Sequence, residues 1–181
     1  MIQLNPLIRL IEKISWRSGQ WVSWLTSILV VIICFDVVFR YSFNSTRAWI
    51  TELEWHLFAA TFLIGSAYTF KENAHVRVDL FYSTLSPVRK AWINLLGCLF
   101  FLLPWCGIIV RAAYKYAMNS FRINETSPDP GGLPGRWLIK FVIVIGFTLL
   151  FLQGLAILFK SLQVIFGKRT YVFPEEKIEI E

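Results

Sequence analysis

Apolar residues gather into four long stretches that are almost free of charge: Ser18–Phe35, Trp55–Phe70, Ala91–Val110 and Phe141–Phe159. Each holds about 16–20 residues, near the length at which an α-helix crosses the ~30 Å hydrocarbon core of a bilayer. A helix closes its backbone hydrogen bonds within itself, as lipid demands. The pattern therefore predicts four spanning helices, over about residues 20–43, 48–71, 87–119 and 137–166. Ahead of the first span, Leu4, Leu7, Ile8, Ile11 and Ile14 recur at three- and four-residue steps, with Arg9, Glu12, Lys13 and Arg17 on the other side. That spacing predicts an amphipathic helix over residues 1–18 lying along the headgroups; a plain extension of the first span is the alternative.

The polar stretches between the spans fix how the helices follow one another. Asn44-Ser45-Thr46 is a short turn, so the first two helices must be antiparallel neighbours. Pro87 falls where a helix tolerates proline, in the first turn, whereas Pro104 removes a backbone bond inside the third helix and predicts a bend. Ser127–Gly135 holds three prolines and three glycines, which excludes helix or strand interior and predicts a structured or extended loop. No internal repeat of the kind that builds many carriers is evident. Residues 19–166 thus read as one four-helix membrane domain, and 167–181 as a charged tail.

Composition sharpens this reading. The chain has 181 residues, 56% hydrophobic, and no polar stretch long enough for a second domain of roughly 50 residues. Trp21, Trp49, Trp55, Trp92 and Trp137 stand near the ends of the stretches, where indole favours the lipid–water boundary. The net charge of +6 comes from cations flanking apolar helices, which fits membrane topology better than nucleic acid. Eleven of the 18 Lys and Arg fall on the side of the N-terminus, so the positive-inside rule puts both termini in the cytoplasm. The first stretch is too long for a typical signal-peptide core, and no A-x-A-like site follows it, so it is expected to stay in the chain. Cys34, Cys98 and Cys106 lie inside predicted helices without a C-x-x-C pair and read as small packing residues.

Ionisable groups near the membrane are the first place to look for chemistry. Asp36 and Arg40 are four apart on one helical face, and Glu52 and Glu54 open the next helix across the short turn with Arg47. The cluster is either an ion or proton site or a charge clasp tying two helix ends; near-balanced charge and interfacial depth favour the clasp. His56 and His75 lie at opposite ends of one helix, unlike the paired axial ligands of a haem, and neither finds a second helix supplying metal ligands. No cofactor is expected. Thr61, Gly65 and Thr69 form a small-residue stripe suited to close helix contact, and Gly97, Gly107, Gly146 and Gly154 add further low points. The inventory suits a scaffold better than an enzyme.

Several short motifs, taken in order, resemble the small membrane subunit (DctQ-like) of the tripartite ATP-independent periplasmic (TRAP) transporters. They are Asp36-Val-Val-Phe-Arg40-Tyr41, Trp49-Ile-Thr-Glu52, His75-Val-Arg77-Val-Asp79 and Pro134-Gly-Arg-Trp137-Leu-Ile-Lys140, spread over roughly residues 20–160. The resemblance implies a multi-pass protein of the bacterial inner membrane and a non-catalytic subunit. It would pack beside a separate large membrane subunit and help dock a periplasmic solute-binding protein. The system would import an organic acid or related solute on an ion gradient, sodium above all. The competing expectation is a small proton-coupled carrier acting as a homodimer, with Glu52 or Asp36 as the coupling carboxylate.

Overall fold

A computed structural model describes residues 6–44, 46–72, 82 and 84–167. Among them all regular structure is helical: α1 (Pro6–Phe43), α2 (Ala48–Lys71), α3 (Pro87–Arg122) and α4 (Trp137–Ile165). His75, Arg77, Asp79 and the charged tail lie outside the described residues.

Three helices, α1, α3 and α4, are long and apolar enough to cross a membrane, against the four expected. The shortfall is α2. Its 24 residues give about 36 Å at 1.5 Å each, ample for a bilayer. Glu52, Glu54, His56 and Lys71, with a run of small and hydroxyl residues, dilute its apolarity.

The N-terminal segment also differs from the expectation of a separate surface helix. Residues 6–43 form one uninterrupted helix, about 57 Å long. Ile8 and Ile11 are buried against Ala156 of α4, and Glu12 pairs with Lys160. The amphipathic stripe of this segment is therefore used on protein: its apolar side seats on α4 and one of its charges is neutralised there.

Helix α4 is central, touching α1, α2 and α3; α2 lies against both α1 and α4, and among the described helices α4 is the one against which α3 packs closely. Small and polar residues make many of these contacts, beside a few buried aliphatics such as Ile8, Ile11 and Ile50. Gly146 lets α4 approach the Leu63 backbone of α2, Gly154 receives Leu102 of α3, Gly19 faces the Tyr68 ring, and Gly65 meets Val22. Most of the large aromatic side chains point outward: Phe101 is 76% exposed and Trp24 71%. A soluble bundle buries such groups. Among lipid tails there is no hydrophobic gain from burying them, and close backbone approach takes over.

Pro104 acts through the turn before it. Residues Cys98–Leu102 are π-helical, and the Leu103 N–H reaches the Cys98 carbonyl, one residue further than in an α-helix. Proline cannot donate to the Phe100 carbonyl, and a wider turn is one way a helix absorbs that loss.

Candidate functional site

Two ionic groups stand at the end of the bundle where α1 stops and α2 and α4 begin. On the α1–α2 side, Asp36 is buried and ion-paired with Arg40 one helical turn on. Glu54 of α2 lies within electrostatic reach of both, with one carboxylate oxygen buried and free of hydrogen bonds. Arg47 does not join them, its guanidinium standing 5.2 Å from the centre of the Phe39 ring.

The second group ties α2 to the connection between α3 and α4. Glu52, only 3% exposed, accepts hydrogen bonds from the Ser127 hydroxyl and from the Leu133 N–H at 2.6 Å, and Arg136 stands 3.7 Å away. The loop is shaped to meet it. Asn124, at φ 46°, ends α3: the Glu125 N–H bonds to the Ser120 carbonyl and the Asn124 N–H to that of Phe121. Asp129-Pro-Gly-Gly132 is a turn closed by Gly132 N–H on the Asp129 carbonyl, with proline second and Gly131 at φ 76° third, the type II preference. Gly132 is needed for a second reason, since a Cβ there would come within 2.8 Å of the Glu52 carboxylate.

A third pairing closes the loop's base. Lys140, buried in the first turn of α4, pairs with Glu125 and lies 3.8 Å from the centre of the Tyr116 ring. The ammonium, with the Ser120 hydroxyl behind it, holds the Glu125 carboxyl below the usual carboxylate range. Trp137 sits edge-on to Phe121 at 5.2 Å, joining the ends of α3 and α4.

The single cluster expected around Asp36, Arg40, Glu52, Glu54 and Arg47 is thus two. Glu52 turns toward the loop and takes Arg136 in place of Arg40 or Arg47. Trp49 and Pro134 are surface residues. In the small-residue stripe Gly65 faces α1, the Thr69 hydroxyl donates to the Gly65 carbonyl at 3.1 Å, and the Thr61 hydroxyl is buried without a hydrogen bond. His56 donates to the Glu52 carbonyl of its own helix. Sequence reasoning missed Ser127 and the Glu125–Lys140 pair as well as Ser15 and Gln153, whose side chains hydrogen-bond at 2.8 Å between α1 and α4. Gln153 carried a signal, being the one amide within the stretch Phe141–Phe159.

An open groove of about 870 Å³ runs along the outside of α3, between Phe70, Tyr82 and a wall that includes Asn94, Phe101, Trp105 and Ile108. Among the described residues its lining carries no Asp, Glu, Lys or Arg.

Comparison with known proteins places this architecture. The profile described as "Tripartite ATP-independent periplasmic transporters, DctQ component" matches residues 29–164. A protein of Haemophilus influenzae that carries the provisional name TRAP transporter small permease protein is 26% identical over 110 residues, covering 60% of this chain and 68% of that protein. No solved structure matches. The family profile covers both ionic groups and every helix contact described except those that α1 makes before residue 29, and the chain belongs to the DctQ component family of the tripartite ATP-independent periplasmic transporters.

Proposed function

We propose that this chain is the structural small subunit of a secondary importer of the bacterial inner membrane. It supports a separate large membrane subunit, which carries the solute and ion sites, and helps dock a periplasmic solute-binding protein. In this reading α2 spans the bilayer with the other three helices, both termini are cytoplasmic, and Ser127–Gly135 faces the periplasm. The imported solute is an organic acid or a related compound, driven by sodium.

One observation carries the proposal: Asp36 and Glu52, the acidic residues most deeply buried among those described, are committed to fixed partners at a helix end. A coupling carboxylate must gain and lose its ion within a pathway. Glu52 instead holds a loop, and the groove on α3 is apolar and faces outward. That arrangement favours the support role over the proton-coupled homodimer.

The test is reconstitution. The chain alone in proteoliposomes with an inward sodium gradient should show no uptake, and uptake should require the large subunit and the binding protein. Sodium-driven accumulation by this chain alone would refute the proposal. Orientation is checked by a cysteine at Asp129, which should react with an impermeant maleimide from the periplasmic side; labelling confined to the cytoplasmic side would overturn the topology.

A further inference from the structure

The faces that α1 and α3 turn outward differ in one respect. On α1 the outward residues between Trp21 and Val38 carry no charge, and the hydroxyls of Ser23, Thr26 and Ser27 are spent on backbone carbonyls one turn back. On α3 the residues packed on α4 are Cys106, Ala113, Ala117 and Ser120, and at 100° per residue Ile108, Arg111 and Lys115 lie on the opposite side. Arg111 and Lys115 are exposed and have no ion-pair partner among the described residues.

The depth of Arg111 follows from the pairing of α3 with α4. Tyr116 stands beside Lys140, and Leu102 meets Gly154, so fourteen residues on one helix match fourteen on the other. Lys140 is the last charge before the uncharged stretch Phe141–Phe159. Arg111, five residues from Tyr116, therefore lies about 7.5 Å below that boundary, level with Ile145. Snorkelling back to the nearer headgroups is opposed by helix geometry. Side chains lean toward the helix N-terminus, which for α3 is the far end of the bundle. An unpaired cation at hydrocarbon depth is costly, and such groups face protein or water.

We propose that this side of α3 is the seat of the large membrane subunit, with Arg111 meeting a carboxylate of that subunit inside the bilayer. The inference rests on the support role proposed above and adds which helix and which charge make the contact. The apolar groove continues the same face: Phe101, Trp105 and Ile108 line it just below Arg111, offering a recess for side chains of a neighbouring helix. Among the described residues α3 packs closely on α4, and Ile108, Arg111 and Lys115 on the other side of the helix are exposed.

The test uses the tagged chain co-expressed with the large subunit of the same transporter, measuring how much large subunit is retained on purification. Arg111→Leu should lower retention at least tenfold, Arg111→Lys should keep part of it, and Ile108→Trp should lower it too. Val31→Trp, on the outward side of α1, should leave it unchanged. None of these side chains is buried within the chain, so the thermal stability of each variant should match the wild type. If Val31→Trp abolishes retention while Arg111→Leu and Ile108→Trp do not, the seat is on α1: the inference fails and the support role stands. If the wild-type chain retains no large subunit, the support role itself fails. If Arg111→Leu leaves retention intact but makes stability independent of anionic lipid, Arg111 binds headgroup phosphate and the inference is overturned.

Discussion

Alanine at Gly146 tests whether backbone approach holds α2 against α4. The added methyl would stand 2.7 Å from the Leu63 carbonyl oxygen and 2.8 Å from Leu63 Cβ, where ordinary contact begins at 3.4 Å. Helix backbone cannot swing aside as a side chain can, so the two helices must part by about 0.7 Å or deform. Overpacking of this kind costs about 1–3 kcal/mol. Replacing a helix-interior glycine by alanine contributes about 1 kcal/mol in the other direction. Gly107 provides the matched control, because a Cβ there meets nothing within 4 Å. Gly107→Ala should stabilise by up to about 1 kcal/mol. The propensity gain is common to both variants, so Gly146→Ala should be less stable than Gly107→Ala by about 1–3 kcal/mol, the overpacking cost alone. Reversible unfolding in mixed micelles with rising dodecyl sulfate, followed by tryptophan fluorescence, reads that difference. Equal stability of the two variants would show that the close approach contributes nothing, and the packing account would fall with it.

Other consequences are open to measurement. Ser15→Ala strips the Gln153 amide of its hydroxyl donor and should cost about 1–2 kcal/mol in the same micelle assay, whereas adding Gln153→Leu should recover most of it. Because Lys140 holds Glu125 below its ordinary value of 4.5, this pairing stabilises the loop above that pH and is lost as pH falls through the lowered value. Proteolysis of the loop with an acid-active protease should therefore rise below about pH 4.5 in the wild type, with Glu125→Gln cleaved readily at neutral pH too. Arg40→Ala leaves buried Asp36 without its cation and should reduce assembly with the large subunit while solute affinity of the assembled transporter stays within about threefold. A tenfold affinity change in a normally assembled complex would contradict that.

Helix order was legible in the sequence because lipid imposes it: long uncharged runs, a three-residue turn at Asn44 and breakers at Ser127–Gly135 leave few other folds. Side-chain partners were less so. Arg40 and Arg47 lie nearer to Glu52 in sequence than Arg136 does, yet Glu52 turns to a loop 75 residues away, since only the crossing of α2 and α4 decides which carboxylate faces which cation. The amphipathic stripe of the first turns reads equally well against headgroups or against another helix, and periodicity alone does not distinguish the two. The apolar run of α2 is weaker than the other three, because Glu52, Glu54 and His56 stand near its start, Lys71 at its end and small and hydroxyl residues between.

Because α3 has its close partner in α4, its biogenesis is out of step with its neighbours. A ribosome releases α1 and α2 in sequence and they can dock at once, but α3 emerges before the helix that receives it. Until α4 is made, the face of α3 that carries Cys106, Ala113, Ala117 and Ser120 has no helix to pack on, so the α3–α4 contact forms last of those within the bundle.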